Sequence, residues 1–310
     1  VIGGNFYQVD GIGRYRIARL DEAGNLDQTF SSAFNDRVNG LLLEAGDRLI
    51  VHGRFTTVDG NDQPYLARLN ADGSFDGSYR PEFDSAPFAI SQQGDGELLV
   101  GGSFTSVNGV ERNRIARLNV DGSLDDLFDP NANSGVSCIY AGADGQILLS
   151  GGFSNIGGAS RSGIVRLSND TPGIQQILPI DASQLDWLRS GSVQEVFDAR
   201  LELKIGTSWT PVGMGDRIPG GWRFSGLELP STGEVRVVGR YQTGRYGRSI
   251  GLLEQQTIYS LAEIELSPAT LTENQPAGSS VGTLSMTGAF GTAPLIYSLV
   301  PGEGDTDNSS

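Results

Sequence analysis

Residues 98–128 read LLVGGSFTSVNGVERNRIARLNVDGSLDDLF, and the landmarks of this stretch recur along the chain at one fixed step. Gly-x-Phe falls at Gly4-Asn5-Phe6, Gly53-Arg54-Phe55, Gly102-Ser103-Phe104 and Gly151-Gly152-Phe153, which places successive phenylalanines 49 residues apart. Arg-Leu keeps the same step at Arg19-Leu20, Arg68-Leu69, Arg117-Leu118 and Arg166-Leu167. Behind it follow Gly24, Gly73 and Gly122, then Asp27, Asp76 and Asp125, then the aromatics Phe30, Tyr79 and Phe128. Three full units pass without an insertion or a deletion, and self-similarity at such a period marks a repeat architecture.

Each unit reads as β-structure. Val136-Ser137-Cys138-Ile139-Tyr140 is β-branched and aromatic, Asp144-Gly145 offers a tight hairpin turn, and Ile147-Leu148-Leu149 starts the return strand. Residues 161–168 supply a third strand, and the segment around Phe128 a weak fourth. No 3.6-residue periodicity runs through the apolar positions, which excludes a helical repeat. Three or four antiparallel strands in this length is the spacing of a propeller blade.

With these residues in register, the segments ILLSGGF…IVRL and LLVGGSFTSVNG…RNRIARLNVDGSLDDLF resemble the delta-60 repeats of large bacterial surface and secreted proteins. The resemblance covers residues 1–170 and implies β-propeller blades; it brings no catalytic residues. Three and a half units are too few to close a ring of about 4–8 blades. The expectation is therefore an incomplete ring whose open edge is an association hazard, cut from a longer polypeptide with further blades.

The repeated residues have a structural reading and a functional one. Repeated glycine serves close packing or positive φ, and repeated Phe and Leu form the core. The arginines at 19, 68, 117 and 166 pair within a blade with Asp27, Asp76 and Asp125, or else form a ligand-binding ring. His52 stands where the other units have Gly3, Gly101 and Ser150 and reads as a tolerated substitution. Cys138 reads as a small buried hydrophobe.

After Asp170 the register fails. Residues 171–192 read as a Pro-containing linker with one turn of helix near Ser183–Leu188. Beyond it, Ala199-Arg200-Leu201-Glu202-Leu203-Lys204-Ile205 alternates over one clean strand. Trp209–Val212, Trp222–Phe224, Val235–Arg240 and Leu252–Tyr259 add more, separated by glycine turns. Residues 171–262 are thus expected to form a β-sandwich or an atypical terminal blade. Arg236, Arg240, Arg245, Tyr241 and Tyr246 make a basic and aromatic cluster that suits a glycan or polyanion contact, or else a solvated strand face.

Residues 263–310 resemble the first half of a bacterial cadherin-like domain, an immunoglobulin-like sandwich, through Leu271-Thr272-Glu273-Asn274-Gln275-Pro276, Val281-Gly282-Thr283-Leu284, Tyr297-Ser298-Leu299 and Gly304–Asn308. The resemblance implies Ca²⁺ held between consecutive domains, with Glu273 as one ligand. Asp305 and Asp307 add ligand chemistry. Calcium takes about 6–8 oxygens, and the family's Asp-x-Asp motif is replaced here by Thr287-Gly288-Ala289-Phe290.

Composition narrows the function classes. The 310 residues carry 22 basic and 37 acidic side chains, a net charge of −15, and every base except Lys204 is an arginine. Such a chain is unsuited to neutralising a phosphate backbone, so nucleic acid is not an expected partner. No apolar run approaches the roughly 18 residues of a membrane helix. One cysteine forbids an internal disulfide, and one histidine forbids a His-rich metal centre. Gly11–Arg16, GIGRYR, lies between strands with no following helix and is not a dinucleotide fingerprint. The overall expectation is an all-β, non-catalytic, extracellular binding or adhesion module of a large modular surface protein. Its partners would be a glycan, matrix or surface protein, and its cadherin-like part would begin a stalk. An accessory fragment of a secreted carbohydrate-active enzyme is the alternative.

Overall fold

A computed structural model describes residues 1–142, 144–169, 171–243 and 249–261, and the backbone of 263–267 and 283–287. Among the described residues the regular structure is strand, apart from one 3₁₀ turn at Ala45–Asp47. The units share one plan. In the third, Leu98–Gly102 lies between Pro87–Gln92 and Ile115–Leu118 in an antiparallel sheet, and a small hairpin pairs Ser106–Val107 with Val110–Glu111. Val38–Leu43, Leu49–Gly53 and Leu66–Leu69 repeat this in the second unit, and Val136–Ala141, Ile147–Gly151 and Ile164–Leu167 in the fourth. The sheets are open.

The weak fourth strand expected near Phe128 is not formed. The chain there makes a turn held by a single bridge, Leu118 to Leu124, and the extra pairing of each unit is the small hairpin instead. Asp125 explains why: its carboxylate accepts from the amide of Leu127, which bends the backbone out of an extended path.

Phe55, Phe104 and Phe153 are fully buried, so the Gly-x-Phe landmark is a core anchor. Phe55 meets Phe34 edge to face at 4.6 Å, and Phe104 meets Phe83 at 5.0 Å. The glycine before each phenylalanine faces a bulge in the preceding strand. A Cβ on Gly53 would lie 2.2 Å from the Arg37 carbonyl oxygen, and one on Gly151 would lie 2.1 Å from that of Gly135. Close approach, rather than chain freedom, explains these two glycines.

Cys138 sits beside the corresponding bulge of the fourth unit and is only half-buried, so it is not the core hydrophobe expected. His52 is buried, as Gly3 and Gly101 would not reveal. A Cβ at Gly3 would press within 2.6 Å of Val38, and one at Gly101 within 2.8 Å of Val136. Pro87 occupies the corresponding place opposite His52 and bonds to the imidazole through its backbone. Burial pushes the His52 pKa down to about 4, with that bond opposing the shift.

Residues 174–260 build two four-stranded antiparallel sheets. In one, Gln184–Ser190 lies between Ile174–Pro179 and Gly221–Ser225, with Asp216–Ile218 at the edge. In the other the order is Ser208–Met214, Asp198–Ile205, Thr232–Thr243, Ser249–Ser260. Trp187, Phe224, Leu201, Val235 and Val237 from both sheets share one core, which makes this a β-sandwich. The linker and helical turn expected over 171–192 are therefore corrected. Leu185 and Trp187 alternate inward on a strand whose interior position on the sheet outweighs its mixed composition. Further along, the backbone of Glu263–Ser267 pairs antiparallel with Thr283–Thr287.

Candidate ligand crevice between the repeats and the sandwich

The repeated charges carry the strongest sequence signal. Arg19, Arg68 and Arg117 each donate from Nε to the aspartate eight positions on, at 2.7 Å in all three units. Each guanidinium also lies over its own unit's aromatic ring, Phe30, Tyr79 or Phe128, at 4.9, 4.3 and 4.9 Å. A second nitrogen of each guanidinium reaches out of the unit. Nη1 of Arg19 reaches the Ala71 carbonyl at 2.6 Å, that of Arg68 the Val120 carbonyl at 3.1 Å, and that of Arg117 the Asn169 side chain at 2.8 Å. The two sequence readings are thereby decided for these three: they are ion-paired clamps between consecutive units.

The turn joining the first and second strands of a unit reads Glu44-Ala45-Gly46-Asp47-Arg48, then Gln93-Gly94-Asp95-Gly96-Glu97 one unit later. The third unit also places Ser91-Gln92 where the second has Leu42-Leu43 and the fourth Tyr140-Ala141. Those polar residues meet the sandwich. The Gln194 side chain accepts from Ser91 Oγ at 2.7 Å and from the Ala141 amide at 3.3 Å, and donates to the Gln92 carbonyl at 3.3 Å. Backbone bonds from Gly94 to Val193 and from Glu195 to Gln92 extend the seam, and Tyr140 packs on Tyr241 at 5.4 Å.

Beside this seam opens a crevice of about 580 Å³, walled by Glu44, Arg48, Gln92 and Asp95 of the repeats and by Glu195 and Arg217 of the sandwich. Gln92 donates to Glu44 Oε1 at 2.9 Å, and the two side chains are 5 % and 7 % exposed. The amide oxygen of Gln92 and the second carboxylate oxygen of Glu44, Oε2, accept no hydrogen bond; Arg48 Nε is ion-paired with Glu44 Oε2 at 3.6 Å. Burial raises the Glu44 carboxyl, opposed by Arg48, Arg68 and the Gln92 bond. Burial likewise raises Asp95. Glu195 is paired, with Arg217 at 2.9 Å and Arg189 at 3.8 Å. An acceptor pair held in a desolvated wall is unusual, since buried polar atoms are normally partnered.

The basic and aromatic cluster expected on the sandwich is dispersed. Arg236 and Arg240 lie on the outer sheet face, where Arg236 binds Glu202 and Glu254 and stacks over Trp209, and Arg240 binds Asp198. Tyr241 points to the opposite face and is buried, as strand alternation requires of a neighbour of Arg240. Arg245 and Tyr246 lie outside the described residues, as do the expected calcium ligands Glu273, Asp305 and Asp307. Among the described residues no three His, Cys, Asp or Glu side chains are grouped to hold a metal. Nor is any helix among them long and apolar enough to cross a membrane.

Residues 1–30, 47–79, 93–128 and 142–170 match the family model described as a domain of unknown function (DUF5122) beta-propeller. Residues 1–170 thus carry propeller-type repeats. The matched blocks hold the clamp residues Arg19, Asp27, Arg68, Asp76, Arg117 and Asp125. The intervals between blocks hold Glu44 and Gln92, which carry two of the crevice's unpaired acceptors. No curated protein matches the chain. Sequence reasoning missed the crevice, although one signal was present: Gln92 breaks a strand position that is apolar in the neighbouring units.

Proposed function

We propose that this chain is a non-catalytic binding and adhesion module of a larger extracellular surface protein. The propeller-type array serves as a stiff platform and the sandwich as its fixed neighbour. The observation that carries the reading is the clamp between units, which spends the repeated Arg and Asp side chains on rigidity and repeats the same surface every 49 residues. A preorganised platform loses little freedom on binding, which favours recognition over an extended contact. The residues after 262 would begin a cadherin-like stalk, with Ca²⁺ held by Glu273 and by acids such as Asp305 and Asp307.

The reading is tested by capture on immobilised polysaccharides and matrix proteins, with calcium or chelator, while the released sugar is assayed for new reducing ends. Retention without new reducing ends is the expected result. New ends above a heat-killed control would favour the accessory carbohydrate-enzyme reading. Retention on none of the surfaces would remove the adhesion reading.

A further inference from the structure

The crevice at the junction has a chemistry of its own. Four acids, Glu44, Asp47, Asp95 and Glu195, share its lining with two bases, Arg48 and Arg217. The bases are committed unequally. Arg217 is bound to Glu195 at 2.9 Å and to the Val196 carbonyl at 3.0 Å. Arg48, 37 % exposed in its side chain, stands 3.6 Å from Glu44 without a hydrogen bond to it. The deep wall leaves two acceptors unsatisfied on side chains more than nine-tenths buried and tied to each other at 2.9 Å, Glu44 Oε2 and Gln92 Oε1. The adjoining Gln93, fully buried, has both its amide oxygen and its amide nitrogen unpaired, and Arg48 Nε is a donor without a hydrogen bond.

Unpaired acceptors ask for N–H groups, and a crevice lined by four acids and two bases, in which Arg48 meets Glu44 only at ion-pair distance, asks for further positive charge. A neutral polyol would meet the first demand but leave the second. An anion would meet neither. We propose that the crevice binds an ammonium or guanidinium group, of a free amine or of a basic peptide side chain, through Glu44 Oε2 and Gln92 Oε1. The −15 charge of the whole chain draws such cations toward it. This rests on reading the chain as a binding module, and it names the ligand chemistry of one site.

Two substitutions test it with little risk to folding, because the repeat already uses both residues. Glu44→Gln installs the side chain that the third unit has at Gln93, and Gln92→Leu installs that of Leu43 in the second. Titration calorimetry at physiological salt would use agmatine, an acetylated and amidated Gly-Arg-Gly peptide, glucose and citrate. The expected result is binding of agmatine or the peptide, weakened at least tenfold by each substitution and unchanged by Arg236→Gln on the far sheet. Agmatine alone would point to a free amine, and the peptide alone to a protein partner; both support the site. Equal binding by Glu44→Gln would overturn it as a general attraction to an acidic surface. Glucose or citrate binding at these residues without agmatine or peptide binding would overturn the cation class and leave the binding-module reading intact. Binding of none of the four would overturn the site, whereas failure of surface capture alone would remove only the adhesion reading.

Discussion

Arg68 donates from Nε to Asp76 of its own unit at 2.7 Å, and the same guanidinium donates from Nη1 to the Val120 carbonyl of the next unit at 3.1 Å. One side chain thus closes a turn and a seam together. Burial would raise the Asp76 carboxyl, but hydrogen bonds from Ser78 and Arg68 outweigh it and hold the group below its usual range. The Gly73 and Gly122 turns of later units approach Phe30 and Tyr79 closely.

Removing Arg68 should therefore be expensive. Its pair is 7 % and 14 % exposed, so Arg68→Ala leaves Asp76 largely buried and should cost about 3 kcal/mol. Arg19→Ala, whose pair is 33 % and 26 % exposed, should cost far less. Urea unfolding of the two variants checks the order; equal losses would mean that burial of the pair does not set the cost.

The His52 imidazole predicts a pH dependence. Its folded pKa, about 4, lies below the ordinary value near 6.5, so the unfolded chain binds the extra proton. Stability is fully present above about pH 6.5 and falls as pH drops toward 4, by about 3 kcal/mol. His52→Ser, copying Ser150, should remove that slope; midpoints of urea unfolding at stepped pH, compared between the two proteins, measure it. Parallel curves would contradict the buried neutral imidazole.

Glycines of two kinds should respond differently to alanine. At Gly53 a Cβ would meet the Arg37 carbonyl at 2.2 Å, so Gly53→Ala must shift backbone and should cost more than 3 kcal/mol. Gly109 has φ +76° and open space around it, so Gly109→Ala should cost only about 1 kcal/mol. Thermal unfolding separates them, and similar melting temperatures would refute the close approach.

How much of this was legible beforehand follows from the physics of each part. The 49-residue register exposed the unit and its Arg–Asp pairs, because every unit satisfies the same local bonds. Nothing local announced that Nη1 of Arg68 crosses to Val120, since a backbone carbonyl has no sequence signature. The strand Gln184–Ser190 was hidden for a related reason: Arg189 follows Leu185 and Trp187 on their face while Leu188 sits on the other beside a buried Asp186, so the apolar alternation stops after two residues. Asp186 is held by Arg223, 37 positions away, a tertiary pairing that composition cannot show. The crevice is lined by residues of the repeats and of the sandwich, so neither segment's sequence reveals it.

The seam at Gln194 should also matter. Gln194→Leu leaves the Ser91 hydroxyl and the Ala141 amide without their acceptor in a buried setting, at a cost of about 1–3 kcal/mol. Hydrogen exchange should show the loss on both sides of the junction, at Ser91–Gln93 and at Val193–Val196. A change confined to the sandwich would mean that the seam carries no coupling.

The most direct test of the clamp is hydrogen exchange on Arg68→Ala. The account predicts that protection falls in its own unit around Leu66–Asp76 and also in the next, at Leu98–Gly102 and Asn119–Ser123. Loss confined to residues 49–79, with the next unit unchanged, would contradict it.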